Sequence, residues 1–207
     1  PTLAVTIGTL LECVATLLLF FPALRHTDFR TLVPMVSAAG TAVPIGHATL
    51  TLTDPTLSNL LISLAVLCMS LWIVAGSSIQ FPRGMFGRLF AGSLSGFFNG
   101  FGSAGGPPLM LYILSGSETA EVKRANIITV SGVALIAAII SMYFFGLLEL
   151  QALTYGLLLA PVFLFGGLIG MRIFRAAPER YYRRVALIAL AVISCAMFAA
   201  NLYRLVH

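Results

Sequence analysis

The stretch Asn99-Gly-Phe-Gly102-Ser103-Ala-Gly105-Gly106-Pro107-Pro108 gathers residue types that together can hold an anion. Prolines fit the first turn of a helix, where a missing N–H is no loss. A helix is therefore expected to start at Gly106–Pro107. The glycines ahead of it offer backbone N–H groups, and a helix N-terminus carries about half a positive charge. A small oxyanion can be held there without a full cation. The Ser103 hydroxyl and the Asn99 amide would add donors. Asn99, Gly102, Ser103, Gly105, Gly106 and Pro107 are thus the candidate ligand-binding residues. Small residues also let membrane helices approach closely, so a packing face is the competing reading. Packing alone does not call for adjacent glycines followed by two prolines.

Glu12 is the one acid deep inside an apolar run. Intramembrane acids are functional by default, which makes Glu12 the candidate for proton coupling. The alternative is a neutral acid hydrogen-bonded to Thr9 or to a facing helix. Arg124 starts a later apolar run and can either draw anions to an entrance or anchor that run at the surface. His47, near the end of the second run, suits an interfacial polar role better than a ligand role. Cys13, Cys68 and Cys195 are isolated, with no CxxC spacing and no nearby histidine. That pattern argues against a metal site or disulfide framework and for small core residues. No metal or cofactor is expected. A membrane-embedded serine protease would want glycine where Ser93 precedes Ser95-Gly96, and a histidine on a later span, where only His207 follows. An enzyme is not expected.

The elements that position these residues lie in a bilayer. The 207 residues are 59% hydrophobic and 9% charged, with mean hydropathy +1.00, whereas soluble domains carry about 25% charged residues. The net charge of +5 sits in a few loops, as the positive-inside rule expects, and does not call for nucleic acid. Apolar runs of about 20 residues span a bilayer, and such runs fall at 2–24, 32–50, 57–80, 125–147, 153–173 and 185–204. Basic residues orient them. Arg25, His26 and Arg30 follow the first run, and Arg83 and Arg88 follow the third. Arg172, Arg175, Arg180, Arg183 and Arg184 precede the last. If 88–116 crosses fully, Lys123, Arg124 and the arginine-rich loop all fall outside, against the charge rule. If 88–116 dips in and returns, every basic cluster is cytoplasmic. About 13 residues per arm, at 1.5 Å each, reach near the midplane and come back. The expected fold is an all-α polytopic membrane protein with about six full transmembrane helices plus a Gly/Pro-broken re-entrant hairpin at 88–116. A seventh, kinked span is the alternative.

The two halves resemble each other. Pro34, Gly40 and Gly46 in one run match Pro161, Gly166 and Gly170 in another. Each set is followed by a proline (Pro55, Pro178) and a run containing Leu-Ala-Val (64–66, 190–192). By the parity count the matched units face opposite ways, which is an inverted repeat. Residues 1–82 are then the remainder of a first repeat of three spans, and 83–207 a second repeat within one membrane domain. Gly166-x-x-x-Gly170 is expected to pack two helices. The first run begins at once after Pro1, with no charged n-region or cleavage site, so it does not read as a signal peptide. A glycine-rich segment is expected to precede Pro1.

The pattern Gly92-x-x-Ser95-Gly96-x-x-x-Gly100-x-Gly102-x-x-Gly105-Gly106-Pro107-Pro108-x-x-x-Tyr112, then Lys123-Arg124-Ala125, then Pro161 with Gly166 and Gly170 resembles the sulfite exporter TauE/SafE family, also called the toluene sulfonate uptake permease family. The resemblance extends to Ala4-Val-Thr-Ile-Gly8-Thr9-Leu10 and Asp28-Phe29-Arg30. It implies a multi-pass permease of the cell (inner) membrane that moves a small inorganic or organosulfur anion, such as sulfite, thiosulfate or an organosulfonate. The implied partners are that anion and the lipid bilayer, with a homo-oligomer open. An anion channel and a structural membrane subunit are the alternatives. The missing first glycine-rich segment is the departure from the family pattern.

Overall fold

The structure, a computed structural model, describes residues 2–74, 84–176, 192, 195, 196 and 198–201. Its elements are all α-helices: α1 (Thr2–Leu24), α2 (Phe29–Leu52), α3 (Pro55–Val74), α4 (Met85–Gly102), α5 (Gly106–Leu114), α6 (Ala120–Phe144) and α7 (Leu150–Ala176). Helices thus cover five of the expected apolar runs. Arg83, the arginines from 180 on and most of the run 185–204 lie outside the described residues. Among the described residues, Ala120–Phe144 and Leu150–Gly170 are long and apolar enough to cross a bilayer, and Thr2–Val14 and Pro55–Met69 are shorter apolar stretches.

The chain forms two compact units. One holds α3 and α7 from Leu157 onward. Its α7 turns Leu157, Val162, Phe165 and Ile169 outward. A side chain added at Gly166, Gly167 or Gly170 would meet nothing within 4 Å. The described residues give Gly166 and Gly170 no helix to pack against, and most of the run 185–204 lies outside them. Cys68 and Cys195 are likewise exposed rather than core residues, and Cys13 is half-buried. A thiol is apolar enough to face hydrocarbon at little cost.

The other unit holds α1, α2, α4, α5, α6 and the first turns of α7. Its closest pair is α2 and α4, and the reason is in the sequence. Gly92, Gly96 and Gly100 repeat every fourth residue and so share one face of α4. A Cβ at any of them would strike the backbone carbonyl of Met35, Ala39 or Val43 in turn. Gly46 makes the reciprocal approach from α2 to the Phe97 carbonyl. Only glycine lets the backbones come this near, where Cα–H···O contacts and dispersion hold them. Because residues 35, 39 and 43 climb with 92, 96 and 100, the two helices run parallel.

The third helix of the core, α6, runs the same way. Near its start Asn126 Oδ1 accepts from the Asp28 N–H at 3.2 Å; near its end Ser141 meets His47 at 2.9 Å. Leu32, Met35, Ala39 and Val43 of α2 pack with Ala91 of α4, Leu109 and Ile113 of α5 and Val130, Ala134 and Ala138 of α6 in one buried cluster. Helix α1 is antiparallel to α6. The Thr6 hydroxyl reaches the Leu147 carbonyl just past the end of α6, and His26 faces Glu121 near its start at 3.4 Å.

Since α4 and α6 both start at the same end, α5 must bring the chain back. It does: Arg88 at the start of α4 lines one cavity with Tyr112, Ser115 and Gly116 at the end of α5. Segment 88–116 is therefore a helical hairpin. Its arms are unequal, about 27 Å and about 13 Å at 1.5 Å per residue, rather than two arms of about 13 residues. The glycine stripe keeps α4 on α2 as far as Gly100, so the break comes late.

Candidate functional site

The break is built from the end of α4 and the start of α5. Helix α4 ends at Ser103, which adopts φ 51°, ψ 33° in the left-handed region. The Ser103 N–H donates to the Asn99 carbonyl at 2.9 Å and the Ala104 N–H to the Phe98 carbonyl at 3.1 Å, so two of the N–H groups near the break close α4 itself. Helix α5 follows with Gly105 as its N-cap and no side-chain cap. Pro107 and Pro108 occupy its first turn, as expected, but they also remove two N–H groups from the helix N-terminus. The donors left by the break are the N–H groups of Gly105 and Gly106.

The two glycines differ. Gly105 is held against α4: the Ser95 hydroxyl donates to its carbonyl at 2.7 Å. A Cβ there would sit 2.5 Å from the Ser95 carbonyl oxygen and 2.8 Å from Asn99 Cβ. A Cβ on Gly106 would meet nothing within 4 Å. Gly106 is the open position of the break, and Gly105 is the one fixed by packing. The same contact gives Ser95 a structural role, with its proton engaged by a backbone carbonyl.

Helix α1 meets the break from the side. The Ser103 hydroxyl donates to the Val5 carbonyl at 3.0 Å and lies 2.9 Å from the Thr9 hydroxyl, which also bonds the Val5 carbonyl at 3.0 Å. A Cβ at Gly8 would lie 3.4 Å from the Ser103 side chain. One turn after Gly8, the Glu12 carboxyl lies beside the Asn99 side chain. Asn99 is buried and its Oδ1 is left without a partner, so the amide NH2 is the group that faces Glu12. The structure thus brings Glu12, Asn99, Ser103 and Gly105 together, with Gly102, Gly106 and Pro107 adjoining in sequence. The contact of Glu12 with Asn99, across two helices, has no local signal in the sequence.

Two candidates lie elsewhere. Arg124 is exposed on α6 and lines a shallow groove with Leu19, Pro22, His26 and Glu121, away from the break. His47 is fully buried rather than interfacial, with Nδ1 on Ser141 and Nε2 unpartnered. The reason is that Ser141 of α6 offers it a hydrogen bond inside the bundle. Sequence reading also passed over Arg88, whose Nε is buried without a partner; its place next to the Gly/Pro block reads simply as a basic flank.

A model of the sulfite exporter TauE/SafE family matches residues 1–197. The chain belongs to the sulfite exporter TauE/SafE family. Among curated proteins and among solved structures, none matches it. A TauE/SafE chain is a membrane transporter, which accounts for outward-facing Leu157 and Phe165 on α7 and for a broken, partly unpaired backbone inside a helical bundle. Irregular backbone at membrane depth persists only where protein or a water-filled path surrounds it.

Proposed function

We propose that this chain is a secondary transporter that moves a small sulfur-containing oxyanion, such as sulfite, thiosulfate or an organosulfonate, across the cell (inner) membrane. The break between α4 and α5 is its binding site. The supporting observation is the open backbone at Gly106, at the start of a half-helix. An anion there receives the Gly105 and Gly106 N–H groups and the positive end of the α5 dipole. Gly102 and Pro107 shape the turn, and Ser103 contributes its hydroxyl by exchanging the Val5 carbonyl for the ligand.

Glu12 couples a proton to the anion. A charged Glu12 holds the Asn99 NH2 and repels an anion nearby. A protonated Glu12 donates its O–H to the Asn99 Oδ1 instead, which frees the NH2 and removes the like charge. Anion and proton then travel together. Arg124 raises the local anion concentration at the surface.

In this reading the ends carrying Arg25, Arg88, Lys123 and Arg124 are cytoplasmic. The α4–α5 hairpin is re-entrant, and about six full spans form inverted repeats divided near residue 82. The test is uptake of radiolabelled thiosulfate by proteoliposomes of the full-length protein, with and without a pH gradient. Saturable uptake with counterflow is the expected result. Flux that does not saturate and shows no counterflow would replace the carrier with an anion channel.

A further inference from the structure

We propose that the cavity at the open end of the α4–α5 hairpin is a second oxyanion site, with Arg88 and Asn126 as its donors and Glu118 as a charge that speeds release. The cavity is about 130 Å³ and lies at the opposite end of the hairpin from the break. The proposal takes its class of ligand from the transport reading; its place rests on the cavity alone.

Arg88 enters α4 one turn after its start, and its Nε is buried with no hydrogen-bond partner. A guanidinium is charged at every relevant pH and presents donors in a fixed fork that matches an oxyanion. A guanidinium N–H left without a protein partner is free to donate to a ligand that enters the cavity. Among the described residues Arg88 forms no ion pair. Across the cavity, Asn126 has its Oδ1 fixed by the Asp28 N–H at 3.2 Å. That bond sets the amide orientation and leaves the NH2 group to donate. Leu32 and Met35, both buried, form the apolar wall, which lowers the local dielectric on that side of the charge.

Glu118 lines the same cavity from its exposed rim. A permanent carboxylate there opposes an anion. In a carrier this is useful, because a vestibule that binds too tightly does not pass its ion on. The two charges therefore make opposite predictions, which a purely structural role for the cavity would not.

The test is equilibrium binding of radiolabelled thiosulfate to the purified full-length protein. Two ions per chain are expected. Arg88→Gln should remove one of them, weakening it by about 10-fold or more, the worth of a hydrogen bond to a charged group. Arg88→Lys should restore part of the loss. Asn126→Asp keeps the acceptor for the Asp28 N–H but adds a negative charge, and should abolish the same site. Glu118→Gln should tighten it.

If Arg88→Gln fails to fold, Asn126→Asp and Glu118→Gln decide the matter by their opposite directions. A single ion lost in Gly106→Leu and retained in Arg88→Gln and Asn126→Asp would overturn the cavity site and leave the break as the carrier's site. A single ion lost in Asn126→Asp and retained in Gly106→Leu would support the cavity and remove the break. Binding unchanged in all the cavity variants, or no thiosulfate bound by the unaltered protein, overturns the proposal.

Discussion

Glu12 on α1 lies beside Asn99 on α4, one turn before the chain breaks at Ser103. The only acid deep in the first apolar run is thereby joined to the segment with the most unusual backbone. If that contact couples a proton to an anion, Glu12→Gln should uncouple it while preserving shape and the capacity to hydrogen-bond. Uptake in proteoliposomes should persist but lose its response to an imposed pH gradient. A variant still driven by the gradient would make Glu12 a structural residue.

The parallel approach of α2 and α4 depends on glycine. Gly96→Val places a branched side chain against the Ala39 carbonyl, and overpacking of this kind costs about 1–3 kcal/mol. Gly106→Ala meets nothing and should leave stability unchanged while weakening anion binding. Thermal unfolding in detergent separates the two. Equal melting temperatures for Gly96→Val and the unaltered protein would mean that α2 and α4 are not held by close backbone contact.

Ser103 combines a left-handed backbone with hydrogen bonds to α1. Ser103→Gly loses the bonds, at about 0.5–1.5 kcal/mol, but relieves the strain of a left-handed residue, about 1–2 kcal/mol. Ser103→Ala loses the bonds and keeps the strain. The alanine variant should therefore be the less stable by about 1–2 kcal/mol. The reverse order, read from unfolding midpoints, would show that the left-handed cap is not what ends α4.

Hairpin and kinked span differ in where their ends emerge. Single cysteines at Gly84 and Ser117, both exposed, in a background without Cys13, Cys68 and Cys195, should both react with an impermeant thiol reagent from the cytoplasmic face. Reaction from opposite faces would require the segment to cross.

His47 and Ser141 tie α2 to α6 inside the bundle. Ser141→Ala leaves both ring nitrogens of a buried histidine unpaired, a loss of about 1–3 kcal/mol. Ser141→Asn, which can still reach the ring, should recover part of it in the same unfolding measurement.

Much of this protein was legible from local chemistry. Composition alone requires an apolar environment, and the five helices α1, α2, α3, α6 and α7 fall on apolar runs. Pro107 and Pro108 after paired glycines set the start of α5, because proline is tolerated only in a first turn. The charge rule favoured a return of the 88–116 segment over a kinked crossing, and α4 and α6 start at one end. Tertiary structure decided which glycines do what. Gly92, Gly96, Gly100 and Gly105 lie against backbone, whereas Gly106, Gly166 and Gly170 do not, and nothing in a glycine's neighbours in sequence distinguishes these cases. It also decided that His47 is interior, that Ser103 is bound to α1, and that Glu12 reaches Asn99. Each of these depends on which face of one helix meets another, a matter of packing that a 3.6-residue period leaves open when nearly every face is apolar.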